Sequence, residues 1–171
     1  RFINMNIKKT ANLFINFTLK RLSEIFGIVI FCSGILLFLA LLTYSPEDPN
    51  FIFPDNTEIK NILGFRGSFI SDLFFQSIGL ISYMLSTTLI VTGINIFRVK
   101  EFFLLVENTF FAILYSLFGS LFLSHFYSDA FTLYINGNGG FIGSYLNKTF
   151  LNSLILLNEV IFYYLLIVLN L

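Results

Sequence analysis

The sequence predicts an all-α, polytopic membrane protein with four transmembrane helices and both termini cytoplasmic. Three observations lead there: a composition too apolar for a water-soluble surface, four long apolar blocks of which only the last holds a charge, and an uneven placement of Lys and Arg. Of 171 residues, 56% are hydrophobic, 19% aromatic and 12% charged. That is about half the charge of a soluble domain, too little to cover a soluble surface. The same richness in apolar residues excludes disorder. Ten basic residues balance ten acidic ones, so no bulk charge draws nucleic acid. A lone Cys32 and a lone His125 build neither a disulfide framework nor a metal site.

The segment 1–23 is basic and cytoplasmic. Ala11, Phe14, Ile15, Thr18 and Leu22 recur at helical spacing, with Lys9, Asn12, Asn16 and Lys20 on another face. Such a segment suits an amphipathic helix on the inner leaflet. From residue 24 a four-helix domain is expected, with helices over about 25–43, 73–97, 108–127 and 149–171. Even the eighteen uncharged residues 25–42 span roughly 27 Å as a helix, close to a hydrocarbon core of about 30 Å. Backbone in lipid must satisfy its own polar groups, which favours helices. Runs such as GILLFLALL do not alternate as barrel strands do. The first block is read as an uncleaved anchor, because LLTYSPEDP follows it in place of a small-residue cleavage site.

Arg1, Lys8, Lys9, Lys20, Arg21, Arg98 and Lys100 fall on one side of this arrangement; Lys60, Arg66 and Lys148 fall on the other. Positive charge stays cytoplasmic, so the loops 45–72 and 129–148 face outward. Small residues mark helix seams: Gly27 and Gly34 in the first block, Gly79, Ser82, Ser86 and Gly93 in the second, Ala112, Ser116, Gly119 and Ser120 in the third. The fourth block has few. The two middle helices are therefore expected to pack tightest.

Candidate chemistry is sparse. Glu159 stands within the last apolar block beside Asn158. A carboxylate at that depth points to an ion or proton path, to a protonated or hydrogen-bonded acid at a helix interface, or to a helix shifted so that Glu159 meets water. It carries the alternative reading, a small channel or transporter subunit. A third reading is an accessory membrane protein. NGNGGFIGSY is glycine-rich but lacks the Gly-Lys-Ser/Thr of a phosphate loop; a tight outer turn packed against helix ends is expected. No HExxH or GxSxG occurs, and no catalytic, cofactor-binding or metal-ligating residue is assigned.

The outer stretches are more specific. After the first block come Thr43 and Tyr44 at the interface, then Ser45, Pro46, Asp48 and Pro49. The prolines end the helix and Asp48 suits an Asx-type turn. Asn61, Gly64 and Gly67 lead to Asp72, expected at the outer N-terminus of the second helix, where an acid meets the positive dipole end. Gly79 follows, and later Gly139, Gly140 and Gly143. The strings TYSPEDP, N-x-x-G-x-x-G-x-x-x-x-D and GGFIG, in this order, resemble the four-helix N-terminal membrane domain of the FtsK/SpoIIIE DNA translocases, from about Glu24 onward.

The resemblance implies a membrane anchor and assembly domain in the bacterial inner membrane at the division septum, serving cell division and chromosome segregation. It implies septal protein partners and a homo-hexamer. An ATP-dependent motor pumping double-stranded DNA, with ATP and Mg as its cofactors, would lie downstream. No Walker motif occurs in these 171 residues, so no enzyme activity and no DNA contact is assigned to them. The fourth helix is expected to reach the cytoplasmic face at Leu171.

Overall fold

The computed structural model describes residues 2–49, 58–128, 136–149 and 159–170, with side chains from residue 9 onward. All regular structure among them is helical: α1 (Phe2–Leu42), α2 (Gly64–Ile78), a 3-10 turn (Gly79–Ile81), α3 (Ser82–Val99), α4 (Phe103–Phe126), α5 (Gly140–Thr149) and α6 (Glu159–Asn170). Three stretches are long and apolar enough to cross a bilayer, at 9–42, 64–99 and 103–126, and α6 is a shorter apolar helix. Asp55, Asp129, Asn158, Leu171 and the first half of the fourth block lie outside the described residues.

The first finding concerns the N-terminus. No separate inner-leaflet helix precedes the first span; α1 is continuous for 41 residues, about 61 Å. Nothing in its sequence breaks it, since Gly27 and Gly34 sit inside an otherwise strong helix former. The first buried side chain is Ser23, so the basic segment forms an extension of the rod beyond the bundle.

The core is an antiparallel arrangement of α1, α3 and α4. A Cβ on Gly27 would lie 2.7 Å from the Phe97 nitrogen, and one on Gly34 2.8 Å from that of Ile90. Higher up, Tyr83 Oη donates to the Leu41 carbonyl at 3.1 Å. Gly93 lets the Phe31 backbone approach so closely that any Cβ would overlap its nitrogen. Among the three long spans the closest backbone approach is thus α1 on α3, the first and second spans, rather than the two middle ones. Glycines contribute here by letting two backbones meet where hydrophobic burial discriminates little between lipid and protein. Polar pairs fix α3 on α4: Asn108 Nδ2 donates to Thr92 Oγ1 at 2.9 Å, and Thr88 and Tyr115 share a hydroxyl hydrogen bond of 2.8 Å.

The second span is not one rod. Its helix begins at Gly64, nine residues before the apolar block, and breaks at Gly79, which has φ +65° and ψ −143°. Residues 64–99 as one helix would measure roughly 54 Å; the break instead turns α2 away from α3. Ser82, Ser86 and Gly93 are buried on α3, but Gly79 belongs to the break and not to their seam.

At one end, Lys100 Nζ lies 2.7 Å from Glu24 Oε1, and Arg21 meets the other oxygen. Arg21, Arg98 and Lys100 therefore share an end. At the other end, α5 and α6 pack on α4. Leu121, Phe162 and Leu166 form a buried cluster with Leu146 against it. The α6 helix descends antiparallel to α4, from the Phe126–Phe162 ring contact of 6.0 Å to Asn170, whose Oδ1 would meet a Cβ on Gly119 at 2.9 Å. Gly119 is sixteen residues along α4 from Phe103, about 24 Å. Residue 170 thus stands level with the 3-10 turn, not at the end of the bundle where the sequence reading placed Leu171.

Candidate functional site

The residues singled out by sequence gather in two polar fastenings at the loop end of the helices. The first closes the loop between α1 and α2. Thr43 Oγ1 donates back to the Leu39 carbonyl at 2.8 Å and accepts the Ile62 amide at 3.3 Å. Pro46 and Pro49 bar helix continuation, and Pro46 is exposed while Pro49 is buried. Asp48 is 3% exposed. Its two carboxylate oxygens accept the backbone amides of Lys60 at 2.8 Å and Asn61 at 2.9 Å. The expected Asx-type turn is therefore replaced by a clamp twelve to thirteen residues wide. A carboxylate is suited to this because it accepts from two donors at once, and charge strengthens both bonds.

Asn61 continues the clamp. Its Nδ2 donates to the Ala40 carbonyl at 2.8 Å, and its Oδ1 accepts the Leu63 amide at 3.1 Å. Its carbonyl accepts the Gly64 amide at 2.9 Å. Every amide group of this buried side chain faces a backbone partner, which a buried Asn requires. Gly67 lies under it, where a Cβ would overlap Asn61 Oδ1. Ser68 Oγ donates to the Pro49 carbonyl at 3.0 Å.

Asp72 also departs from expectation. It is the ninth residue of α2 and buried, so it is no N-terminal cap. Tyr44 Oη donates to its Oδ1 at 3.0 Å, with Gln76 Nε2 at 3.4 Å. The Tyr44 ring packs edge-on against Phe75 at 4.9 Å. An exposed ion pair, Glu47 with Lys60, lies outside the clamp. The Lys60 ammonium holds the Glu47 carboxyl below its usual value, and Glu47 raises Lys60 in turn.

The second fastening fills the break in the second span. Gly79 has a left-handed φ and meets the Asn138 carbonyl, which a Cβ would overlap. Only glycine adopts this backbone without strain. The polar groups released by the break find two partners from distant segments and one nearby: Leu80 N–H donates to the Asn138 carbonyl at 2.9 Å, Ser120 Oγ to Ile78 O at 3.0 Å, and the neighbouring Ser82 Oγ to Gly79 O at 2.6 Å. Gly140, at φ +64°, lies against Ser77 and Gly79. Gly139 and Gly143 press the chain onto the Ser120 carbonyl of α4. The glycine-rich string is thus a turn only over 136–139; from Gly140 it winds into α5, a helix that the expected outer turn did not include, packed on α4. Asn138 itself is fully buried, and its Nδ2 donates to the Tyr127 carbonyl. Asn138 and Ser120 were not recognised by sequence as partners of Gly79; the only signals were an Asn inside NGNGG and the small-residue strip of the third block.

Glu159 joins neither fastening. It stands in the first turn of α6, exposed on the outside of the bundle. Among the described residues no cluster of three His, Cys, Asp or Glu side chains could hold a metal. His125 Nδ1 pairs with Asn147 Oδ1 at 3.0 Å. Cys32 is exposed on α1.

Comparison with known proteins agrees with the resemblance. Residues 19–171 match the family described as the 4TM region of DNA translocase FtsK/SpoIIIE. The DNA translocase FtsK of Rickettsia prowazekii is 25% identical over 137 residues, 79% of this chain and 18% of that protein. The DNA translocase FtsK of Caulobacter vibrioides is 34% identical over 69 residues, 40% of this chain and 8% of that protein. The chain thus matches less than a fifth of either relative's length. No solved structure matches. With this match over most of its length, the chain belongs to the family of membrane regions of the FtsK/SpoIIIE DNA translocases.

Proposed function

We propose that this chain is the membrane anchor and assembly region of a septal DNA translocase, holding an ATP- and Mg-dependent double-stranded DNA motor at the inner membrane during division and chromosome segregation. The observation that carries this reading is the family match over residues 19–171. The use of the motif residues supports it: Asp48, Asn61, Asp72, Gly79 and Gly140 spend their chemistry on fastening helices together, as an anchor needs. The orientation has both flanks of the region in the cytoplasm. Supporting it, Arg21, Arg98 and Lys100 share one end, and positive charge is retained inside. The α6 helix runs toward that same end. Partners are other division proteins, and neighbouring copies are gathered into a hexamer by the motor ring.

The test is a division-site localisation assay with the full-length protein. Deleting the region corresponding to 19–171 should release the fluorescent fusion from the septum and from the membrane. Grafting the motor onto an unrelated four-helix anchor should restore membrane attachment but not septal recruitment. Septal recruitment by the unrelated anchor would overturn the assembly role. A transport reading gains nothing from the structure, because Glu159 lies on the outer surface of α6 and away from the other helices' polar pairs.

A further inference from the structure

The geometry points to a phospholipid site in the groove between α1 and α2, with Arg66 as the ligand of the lipid phosphate. The groove offers about 470 Å³, within the range of small-ligand sites. Its walls are Leu36 and Ala40 of α1, Ile70 and Phe74 of α2, and Leu89 of α3, with Arg66 as the one charged group. Leu36 and Ile70 are 52% and 41% exposed, so the groove opens to the outside of the bundle, where the bilayer lies.

The placement of Arg66 is the central observation. Arg66, Ile70 and Phe74 stand at i, i+4 and i+8, one stripe of α2. The opposite side of α2 carries Ser68, Ser71 and Asp72, all buried, with Ser68 bonded to Pro49 and Asp72 to Tyr44. The stripe toward the bilayer is therefore apolar except for one guanidinium. Arg66 makes no ion pair among the described residues, while Lys60, six residues earlier, is already paired with Glu47. A cation beside hydrocarbon is costly without an anion. The anion a bilayer supplies at this depth is a phosphate, and a guanidinium fork matches phosphate oxygens two at a time.

Depth agrees with this assignment. Asn61 ties the start of α2 to the Ala40 carbonyl, so Arg66 lies near the loop end of α1. Ser33, the lowest groove residue of α1, is seven residues below Ala40, about 10 Å. A headgroup at Arg66 would lead one acyl chain down the apolar wall toward Leu89. The charge balance favours an anionic phospholipid over a zwitterionic one, whose own ammonium competes for the phosphate. This site does not depend on the anchor's partners or on what the motor does.

The test uses the full-length protein in nanodiscs of equal parts phosphatidylglycerol and phosphatidylethanolamine, transferred to detergent, with retained lipid counted by native mass spectrometry. Wild type should retain phosphatidylglycerol in preference. Arg66→Gln should lower that retention by about tenfold, the loss of a charge-assisted contact, and abolish the preference. Arg66→Lys should keep part of it. Ile70→Trp, which fills the groove and spares the charge, should exclude both lipids. In lipid-free detergent the thermal midpoint of Arg66→Gln should match wild type, since no protein partner is lost. Wild-type retention in Arg66→Gln or in Ile70→Trp would overturn the proposal. So would displacement of the lipid by free glycerol phosphate, or a second copy's helix seated in the groove.

Discussion

The Asp48 clamp allows a quantitative test of the fastened loop end. Replacing Asp48 by Ala removes the acceptor of two amides, Lys60 N–H at 2.8 Å and Asn61 N–H at 2.9 Å. These donors are not equivalent. Lys60 is exposed, so water replaces the carboxylate there at a net cost of about 0.5–1.5 kcal/mol. Asn61 is 4% exposed, and its amide is left buried without a partner, at about 1–3 kcal/mol. Together the local cost is about 1.5–4.5 kcal/mol. Asp48→Asn is expected to recover little, because its amide nitrogen presents a donor to one of the two N–H groups.

Hydrogen exchange of the full-length protein in nanodiscs reads this directly. Exchange at the Asn61 amide should accelerate by roughly 12- to 1,600-fold, since 1.4 kcal/mol is about one decade. Amides in the middle of α3 should be unchanged, because they are tied to α1 and not to the loop. An acceleration below about threefold at Asn61, or an Asp48→Asn variant as protected as wild type, would refute the claim that the buried carboxylate closes this loop.

Four further outcomes are expected. Gly79→Ala places a methyl group on the Asn138 carbonyl and forces a left-handed φ, so about 3 kcal/mol or more should be lost in thermal unfolding, whereas Val91→Ala on the exposed face of α3 should change little. Gly93→Ala should push α3 off α1 and cost about 1–3 kcal/mol, read as a fall in midpoint and as lost cross-linking between cysteines placed on the two helices. Tyr44→Phe should cost about 1–2 kcal/mol, and a double-mutant cycle with Asp72→Ala, which removes the acceptor, should show coupling above about 0.5 kcal/mol. Glu47, with a depressed carboxyl pKa, stabilises the loop above its ordinary 4.5 and loses that contribution as pH falls through the lower folded value. Its NMR titration midpoint should therefore lie below 4.5 in wild type and return toward it in Lys60→Gln or at high salt, where an exposed pair is screened.

What could be read from the chain and what could not divide along the range of the interactions. The first and third apolar blocks and the small residues Gly27, Gly34 and Gly93 were legible, because helical periodicity and bilayer thickness act within one segment; the start of α2 and the whole of α5, inside stretches expected as loops, were not. The break at Gly79 was not. Residues 73–97 form an unbroken apolar run, and the groups that make the break tolerable come from elsewhere: Asn138, which lies 58 residues after Leu80, and Ser120, 42 residues after Ile78. Asp72 was misread for a related reason. An acid at the edge of an apolar block resembles a cap, but Gly64–Ser71 are helical too, and its partner Tyr44 is 28 residues away. Asp48 was recognised as a turn residue while its partners, the amides of Lys60 and Asn61, carry no side-chain signal. The exposure of Glu159 was one of several readings left open, since an apolar block alone does not say which face meets other helices.

The way the motif residues are used changes how recognition by division partners can be tested. Asp48, Pro49, Asn61, Gly67 and Asp72 are buried, so a partner cannot read them directly. Exchanging the whole TYSPEDP segment would unclamp the loop and start α2 in a different place, and lost recruitment would then report folding. Positions that separate the two effects are exposed beside the clamp without belonging to it. Ile62 and Phe65 are 69% and 52% exposed, and Pro46 lies in the open turn. Substituting Ile62 and Phe65 by Ser removes apolar surface and leaves the Asp48 and Asn61 side chains in place. If recruitment falls while the Asn61 amide keeps its slow exchange, the loop end is a docking surface. If recruitment holds, the loop serves only to position α2, and the proposed docking of division proteins on this loop end is refuted.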